Sequence, residues 1–519
     1  MHRSALAAVA VGVAASLLVL GHLFVPTTIG TVDTGDGLRL LCQLQAGDPR
    51  FYQAHSSQDR FVALSYLPIP QNPVACGKWR VTERYPSSAI LPLAAAKVLT
   101  HLTHPFGARG TLDMRFVGVL YSLLYGLAIG LLVTVLPGRL WARVLTAGVL
   151  GLLGADATFV PYFISPFSEP MEYVALLLSF AGLLALWRRR CVRPITLALV
   201  TLAFGLLVTA KSQDTPLVVV LAGALLGTRC ETGRPRGRVT ARLAPAVAVI
   251  ALLTVAATNL YLQPKLFHEQ LVYTDVFVTI LKDSPDPKAD LAEMGLPTEL
   301  SRYAGKTYFQ TRGETATDPA YRVFVAETGF PDIARFYAHH PDRLARVLDV
   351  GVQDIARARH RLPNTTRADS TRPAVVCRVC IVAGIGPRLA PVAPVLWPLW
   401  ELLVLVVGIM LVWRSGERQW RALGGLLIAT VGFAVVHLGT AVLGDGYAEL
   451  GKHVFPAVVD TWLVIPLVVL GAAKLIGDAA RGAGHPDGQR AAAAARRRPE
   501  DRDGRSERSG STGRRNLPV

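Results

Sequence analysis

The stretch from Phe180 to Val200 reads Phe-Ala-Gly-Leu-Leu-Ala-Leu-Trp-Arg-Arg-Arg-Cys-Val-Arg-Pro-Ile-Thr-Leu-Ala-Leu-Val. An apolar run stops at Arg188, Arg189 and Arg190, Arg193 follows, and a second apolar run begins at once. A bilayer core roughly 30 Å thick needs about 20 apolar residues per helical crossing. Two such runs joined by a turn this short must emerge on the same side. Clustered arginines mark that side as cytoplasmic, because basic residues in short loops are retained there.

The same grammar extends in both directions. The candidate spans are 5–25, 116–136, 144–160, 171–187, 194–210, 215–229, 243–262, 393–413, 420–442 and 453–476. With the N-terminus inside, alternation places Gly138 to Arg143, Arg188 to Arg193, Arg229 to Arg242, Arg414 to Arg421 and the tail after Lys474 in the cytoplasm. Arg229, Arg234, Arg236, Arg238 and Arg242 fill one of these segments. The short outer turns 161–170, 211–214 and 443–452 hold only Lys211 and Lys452 as cations. The expected fold is therefore an all-α polytopic membrane protein with about ten transmembrane helices. It sits in the plasma membrane with both termini cytoplasmic. The Ala/Gly/Arg-rich composition reads as bacterial, so the outer face is the cell exterior.

Composition agrees. The chain has 519 residues, 51% of them hydrophobic, and a formal net charge of +17. Its mean hydropathy is +0.37. Such a basic balance in a soluble protein points to nucleic acid. Here the positive charge lies in loops and tail, so no nucleic-acid partner is expected and membrane lipid is. The first run follows His2 and Arg3 as a signal peptide would. It is longer than such a segment, and no small-x-small site precedes Pro26, so it reads as an uncleaved helix.

Four regions follow: residues 1–262 form an N-terminal membrane module with an outer loop 26–113, 263–392 an outer polar segment, 393–477 a C-terminal membrane module, and 478–519 a disordered basic tail. Ser87 to Leu102 is apolar enough to resemble a span. Counting it would invert every later loop, so it reads as a helix lying in the outer interface. Asp332 to Arg359 has helical periodicity with many charges and reads as a surface helical region. Cys191 and Cys230 fall inside, whereas Cys42, Cys76, Cys377 and Cys380 fall on the oxidising side, where a structural disulfide or a reduced pair is expected of Cys377-x-x-Cys380.

Chemistry-bearing residues gather on the outer face. Asp33-Thr-Gly-Asp36-Gly aims two carboxylates at one region, as a general base or as oxygen ligands for a divalent cation, and is also good turn chemistry. No other feature requires a metal or cofactor. Glu169 and Glu172 open the fourth span, where Ser168, Glu169 and Pro170 look like a helix cap and Glu172 falls at or inside the apolar boundary. Lys211 and Asp214 share a tight turn, as phosphate-binding cation and acid or as an ordinary pair. Gly444-Asp445-Gly-Tyr447-Ala-Glu449-Leu-Gly-Lys452-His453 opens the last span, with Glu449, Lys452 and His453 at helical spacing. Asp113 and Arg115 sit where the chain returns to the membrane; Arg115 either snorkels or grips a phosphate. Carboxylates and cations together suit a lipid-phosphate donor: acids activate an acceptor and cations stabilise the departing phosphate.

In layout the chain resembles the GT-C class of polytopic glycosyltransferases. The matching features are the first span followed by a long outer loop bearing Asp33 and Asp36, the interfacial helix Ser87 to Leu102, and Arg115 in Leu-Asp-Met-Arg-Phe-Val-Gly. The segment from Gly444 to His453 is similar to actinobacterial membrane proteins identified as glycan hexose transferases. The resemblance implies an inverting transfer from a polyprenyl-phosphate-linked sugar to a glycan or lipid acceptor. Asp33 or Asp36 would be the base, and Arg115, Lys211, Lys452 and His453 would face the donor phosphate. The class usually places two adjacent acids in the first loop; here the spacing is Asp-x-x-Asp. The competing readings are a permease for envelope precursors and a non-catalytic assembly protein.

Overall fold

The computed structural model describes residues 2–31, 37–46, 65–66, 85–103, 111–189, 193–228, 235–358, 366–367, 377–444, 446–447 and 450–483. Residues Met1–Ala472 form one compact unit. Ala473–Val519 form a second, in which Asp478 pairs with Lys474 at 3.1 Å and Arg481 at 2.6 Å. The fold is helical. Two short antiparallel ladders join Ile29–Gly30 to Thr366–Arg367 and Ser65–Tyr66 to Leu112–Asp113.

The helices at the expected spans are α1 (His2–Phe24), α2 (Met114–Val135), α3 (Leu140–Gly154), α4 (Glu169–Trp187), α5 (Pro194–Val208), α6 (Val218–Leu226), α7 (Pro235–Tyr261), α8 (Ala393–Arg414) and α9 (Arg418–Gly444). The last span is interrupted, as α10 (Leu450–His453), α11 (Phe455–Leu463) and α12 (Ile465–Ala483). Among the described residues, 7 helical segments are long and apolar enough to cross a membrane. Leu140–Gly154, Pro194–Val208 and Ser212–Leu226 are shorter apolar helices in the remaining expected positions. The chain is thus an all-α polytopic membrane protein.

Small residues let the first helices meet. On α1, Ala8, Gly12 and Ser16 recur every fourth position; on α2, Ser122, Gly126 and Gly130 do the same. A Cβ on Gly12 would stand 2.7 Å from the Gly126 carbonyl oxygen, and one on Gly130 2.8 Å from that of Ala8. Ser16 Oγ donates to the Ser122 carbonyl at 3.0 Å. Close backbone approach of this kind is how helices associate in lipid, where apolar burial gives little drive.

One expected span is shorter than its hydropathy indicated. The run 144–160 ends as helix at Gly154. Tyr125 Oη donates to the Gly151 carbonyl at 2.6 Å and Tyr173 Oη to that of Gly154 at 2.7 Å, and the Asp156 side chain takes Thr158 N at 2.9 Å, the donor another helical turn would use. Asp156 then turns away and accepts from Val382 N at 2.8 Å and Ala383 N at 3.1 Å, capping the helix Ile381–Leu389.

The helix Ile90–Thr103 begins and ends at the same end of the bundle. At its start, Ser88 N donates to the Thr209 carbonyl at 2.9 Å, just beyond the end of α5. Near its other end, Thr100 Oγ1 accepts from Asp113 N at 3.1 Å, at the start of α2. At about 1.5 Å per residue its 14 residues are too short to span, and its ends require it to lie across that face. A short apolar helix that does not span is thus found where the sequence reading placed one.

The polar segment after α7 is a set of short helices. The expected surface helical region is two helices, Phe330–His339 and Pro341–Arg357, broken where Pro341 follows His340. The second is more than a surface helix: a Cβ on Gly351 would meet Leu438 Cδ1 and Val442 Cγ2, both at 2.7 Å, so it lies against α9. Cys377 and Cys380 are joined in a disulfide. Cys42 is also disulfide-bonded; Cys76, Cys191 and Cys230 lie outside the described residues.

Candidate functional site

Three turns far apart in sequence converge at the end of the bundle opposite Arg188. The first is the start of α4. Glu169 is 1% exposed and Glu172 0%, so this helix opens inside the protein rather than at its surface. Pro170 lies in its first turn, where a missing N–H costs nothing. The Ser168 side chain makes no capping bond. The second is the turn between α5 and α6, which winds as a 3-10 helix over Ser212–Leu217. The third is α10, only 4 residues long.

Lys211 is the hinge of this convergence. Its Nζ lies 3.3 Å from Glu169 Oε1 and 3.1 Å from His453 Nδ1. To the Lys211–Asp214 proximity considered from sequence, in which the Lys211 charge still acts on Asp214, the fold adds this longer-range contact with Glu169. Gln213 grips His453 from both sides, donating to its carbonyl at 2.7 Å and placing Oε1 2.7 Å from its Nδ1. A neutral imidazole nitrogen donates or accepts but does not do both. The His453 tautomer is therefore coupled to Lys211: Nδ1 either donates to Gln213 or accepts from the ammonium. Lys452 is 5% exposed and sets its ammonium 4.2 Å from the centre of the Phe167 ring.

A second layer lies beneath. The carboxyls of Glu172 and Asp214 lie next to each other, both 0% exposed. No N–H or O–H donor of another residue reaches their oxygens, and the two carboxyls face each other closely enough to hydrogen-bond through one shared proton. His437 stands beside them, with Nδ1 3.6 Å from Asp214 Oδ1. Its Nε2 lies 2.9 Å from the His453 carbonyl oxygen. A carbonyl can only accept, so Nε2 carries a proton and the Nδ1 side of the ring faces Asp214. At 3.6 Å this contact is too long for a hydrogen bond, so the ring adds polarity beside the two carboxyls without bonding them. His437 was not read as functional from sequence, because it sits inside the apolar run of α9. Its only signal was a histidine in a membrane span, which is costly unless used.

The turn that leads into α10 is fastened from the side. Gly446 has a φ of +59°. A Cβ there would stand 2.9 Å from Asp275 Oδ1, so glycine suits both the backbone and the space. Tyr447 N donates to Thr279 Oγ1 at 2.9 Å. Asp445 and Glu449 lie outside the described residues.

Asp33 and Asp36 also lie outside them, but the residues that bracket them are described. Gly30 is packed so closely that a Cβ would stand 2.6 Å from the Ile164 carbonyl oxygen, five residues before Glu169. After Gly37, the guanidinium of Arg39 sits 3.9 Å over the Phe267 ring. Gln43 donates to the Tyr85 carbonyl at 2.8 Å. Tyr85 is buried, which pushes its phenol above the ordinary value, and its environment includes the charges of Arg39, Lys211, Asp214 and Glu172.

Arg115 does not join the convergence. Its guanidinium donates to both Asp113 oxygens, with Nη2 2.5 Å from Oδ2. Asp113 also accepts from Arg115 N at 2.9 Å and so caps α2. The Arg115 side chain remains 53% exposed. No group of three metal-ligating side chains occurs among the described residues.

A buried ammonium between a carboxylate and an imidazole, over two further carboxyls in an otherwise apolar bundle, is a built polar site. A family model described as the YfdI N-terminal transmembrane domain matches residues 1–476. The chain belongs to that family. The match takes in every side chain of the site and all the membrane helices but the end of the last. No curated protein and no solved structure matches the chain.

Proposed function

We propose that this protein is a GT-C-like membrane glycosyltransferase. It transfers a sugar, with inversion, from a polyprenyl-phosphate donor to a cell-envelope glycan or lipid acceptor on the non-cytoplasmic face of the plasma membrane. The observation that carries this reading is the meeting of Lys211, Lys452 and His453 with buried Glu169 at one end of the bundle. Cations held in a partly dry site are suited to a phosphate that gains charge as it leaves. The lipid chain of such a donor would lie among the apolar helices.

In this reaction the acceptor hydroxyl attacks the anomeric carbon as the bond to the donor phosphate breaks. The acceptor proton passes to a carboxylate of the first loop, Asp33 or Asp36. The polyprenyl phosphate departs with its electron pair toward Lys211 and Lys452. Glu169 holds the Lys211 ammonium, and Gln213 holds the His453 ring.

The test uses the purified full chain in lipid vesicles with a panel of labelled polyprenyl-phosphate sugars. Wild type is expected to consume one donor. One of Asp33→Asn and Asp36→Asn should lose turnover by about 10²–10⁴-fold while still binding donor. Lys452→Met should raise the donor KM. A panel in which no donor is consumed, or two aspartate variants that match wild type, would overturn the reading. A permease is the second reading, supported by the interrupted last span, since broken helices often line translocation sites. It predicts that labelled precursor crosses the vesicle membrane with no bond changed.

A further inference from the structure

A second pair of acids lies in the bundle away from the site above. Glu401 is on α8 and is 7% exposed; Asp460 is on α11 and is 1% exposed. The two helices are linked beside these acids: Trp397, one turn before Glu401, donates its Nε1–H to the Oγ1 of Thr461, the residue after Asp460, at 3.2 Å. Glu401 Oε1 and Asp460 Oδ1 have no hydrogen-bond partner among the described residues, and neither does the buried Trp400 Nε1.

The surroundings hold no counter-charge. The neighbouring helices 341–357 and 418–444 carry Arg343, Arg346, Arg357, Arg418, Arg421 and His437. None of these bears on either carboxyl; the one charged group that acts on Asp460 is Glu401. His437 is engaged with Asp214 and His453. Both carboxyls also occur where helices are disturbed. Pro398 lies inside α8 about one turn before Glu401, and the step from α11 to α12 falls at Val464, one turn after Asp460. Charged side chains within a membrane are costly, and those that persist there tend to be functional. Discontinuous helices are a common setting for ion and proton sites.

We propose that Glu401 and Asp460 form a proton-binding carboxyl pair within the membrane. Two ionised carboxylates in such a place repel strongly and lack any cation to compensate them. A proton on one of them removes that charge and the repulsion with it. The pair is a site for H⁺, distinct from the Glu169–Lys211–His453 cluster and independent of the glycosyl-transfer reading. Proton loss would leave like charges between α8 and α11, so occupancy also governs how these helices pack.

The test treats the full-length protein in vesicles with a membrane-soluble carbodiimide, which adds only to protonated carboxyls, and locates the adduct by peptide mass spectrometry. Wild type should be labelled at Glu401 or Asp460, with labelling falling as pH rises. Glu401→Gln should keep Asp460 reactive but move the fall to lower pH, because the like charge is gone; Asp460→Asn should do the same for Glu401. An infrared band of a protonated carboxyl that disappears in Asp460→Asn gives a second readout independent of reagent access. Absence of both the adduct and the band in folded protein would overturn the proposal. So would a pH response at one acid that ignores removal of the other, or protection by sodium ions at fixed pH, which would make a metal cation the occupant.

Discussion

Lys211 joins two parts of the site that no short-range rule connects. Breaking a buried pair by removing one partner is expensive, on the order of 3–5 kcal/mol, because the other charge is stranded. Lys211→Ala should therefore lower the melting temperature well beyond Glu169→Gln. The double variant should recover part of the loss, because Glu169 no longer leaves a bare charge. Thermal melts of the two single variants and the double in one detergent measure that coupling. Asp318 presents a different case, in the polar segment. Burial alone would raise its carboxyl, but hydrogen bonds from Tyr303 at 2.8 Å and from Arg302 outweigh it and hold the group below the usual carboxylate range. A carboxyl lowered on folding contributes stability above its unfolded value and loses it as pH falls through the folded one. Asp318→Asn should thus weaken the protein at neutral pH and flatten the acid limb of its melting-temperature profile. Equal melting at neutral pH would show that these bonds contribute nothing.

At the level of elements, the α1–α2 crossing depends on the absence of side chains. A Cβ on Gly12 would collide with backbone, which cannot move aside as a flexible side chain can. Gly21 on the same helix has nothing within 4 Å of its would-be Cβ. Gly12→Leu should destabilise by several kcal/mol, on the order of 3 or more, as overpacking at a rigid contact does. Gly21→Leu should fall within about 0.5 kcal/mol of wild type, as substitutions at open sites do. Yield of folded monomer and the melting temperature check both. The interfacial helix shows why element type was readable but placement was not. Its apolar character is local, whereas its lateral course is set by Ser88 on the end of α5 and Thr100 at the start of α2.

For the molecule as a whole, the arginine-rich turns and the polar segment 263–392 are expected on opposite sides of the membrane. Single cysteines introduced at Arg189 and at Phe309, in a variant with its native cysteines replaced, should react with a membrane-impermeant maleimide from opposite faces of oriented vesicles. Labelling of both from one side would refute the topology. The helical spans, their order and the short apolar helix Ile90–Thr103 were legible because hydropathy and run length act locally on the chain. The Glu169, Lys211 and His453 turns were each legible as polar punctuation, but their meeting was not. Lys211 is 42 residues from Glu169 and 242 from His453, and no periodicity spans such distances. His437, Glu401 and Asp460 were passed over because each is one polar side chain in a long apolar run. By itself, then, the sequence determined that this chain folds as a bundle of membrane helices, since transfer of apolar segments from water is a sum over local residues. Only the tertiary structure decided which ionisable groups face one another and which helix ends meet, because side-chain pairing depends on how helices are rotated and packed together, and that is a property of the assembled bundle.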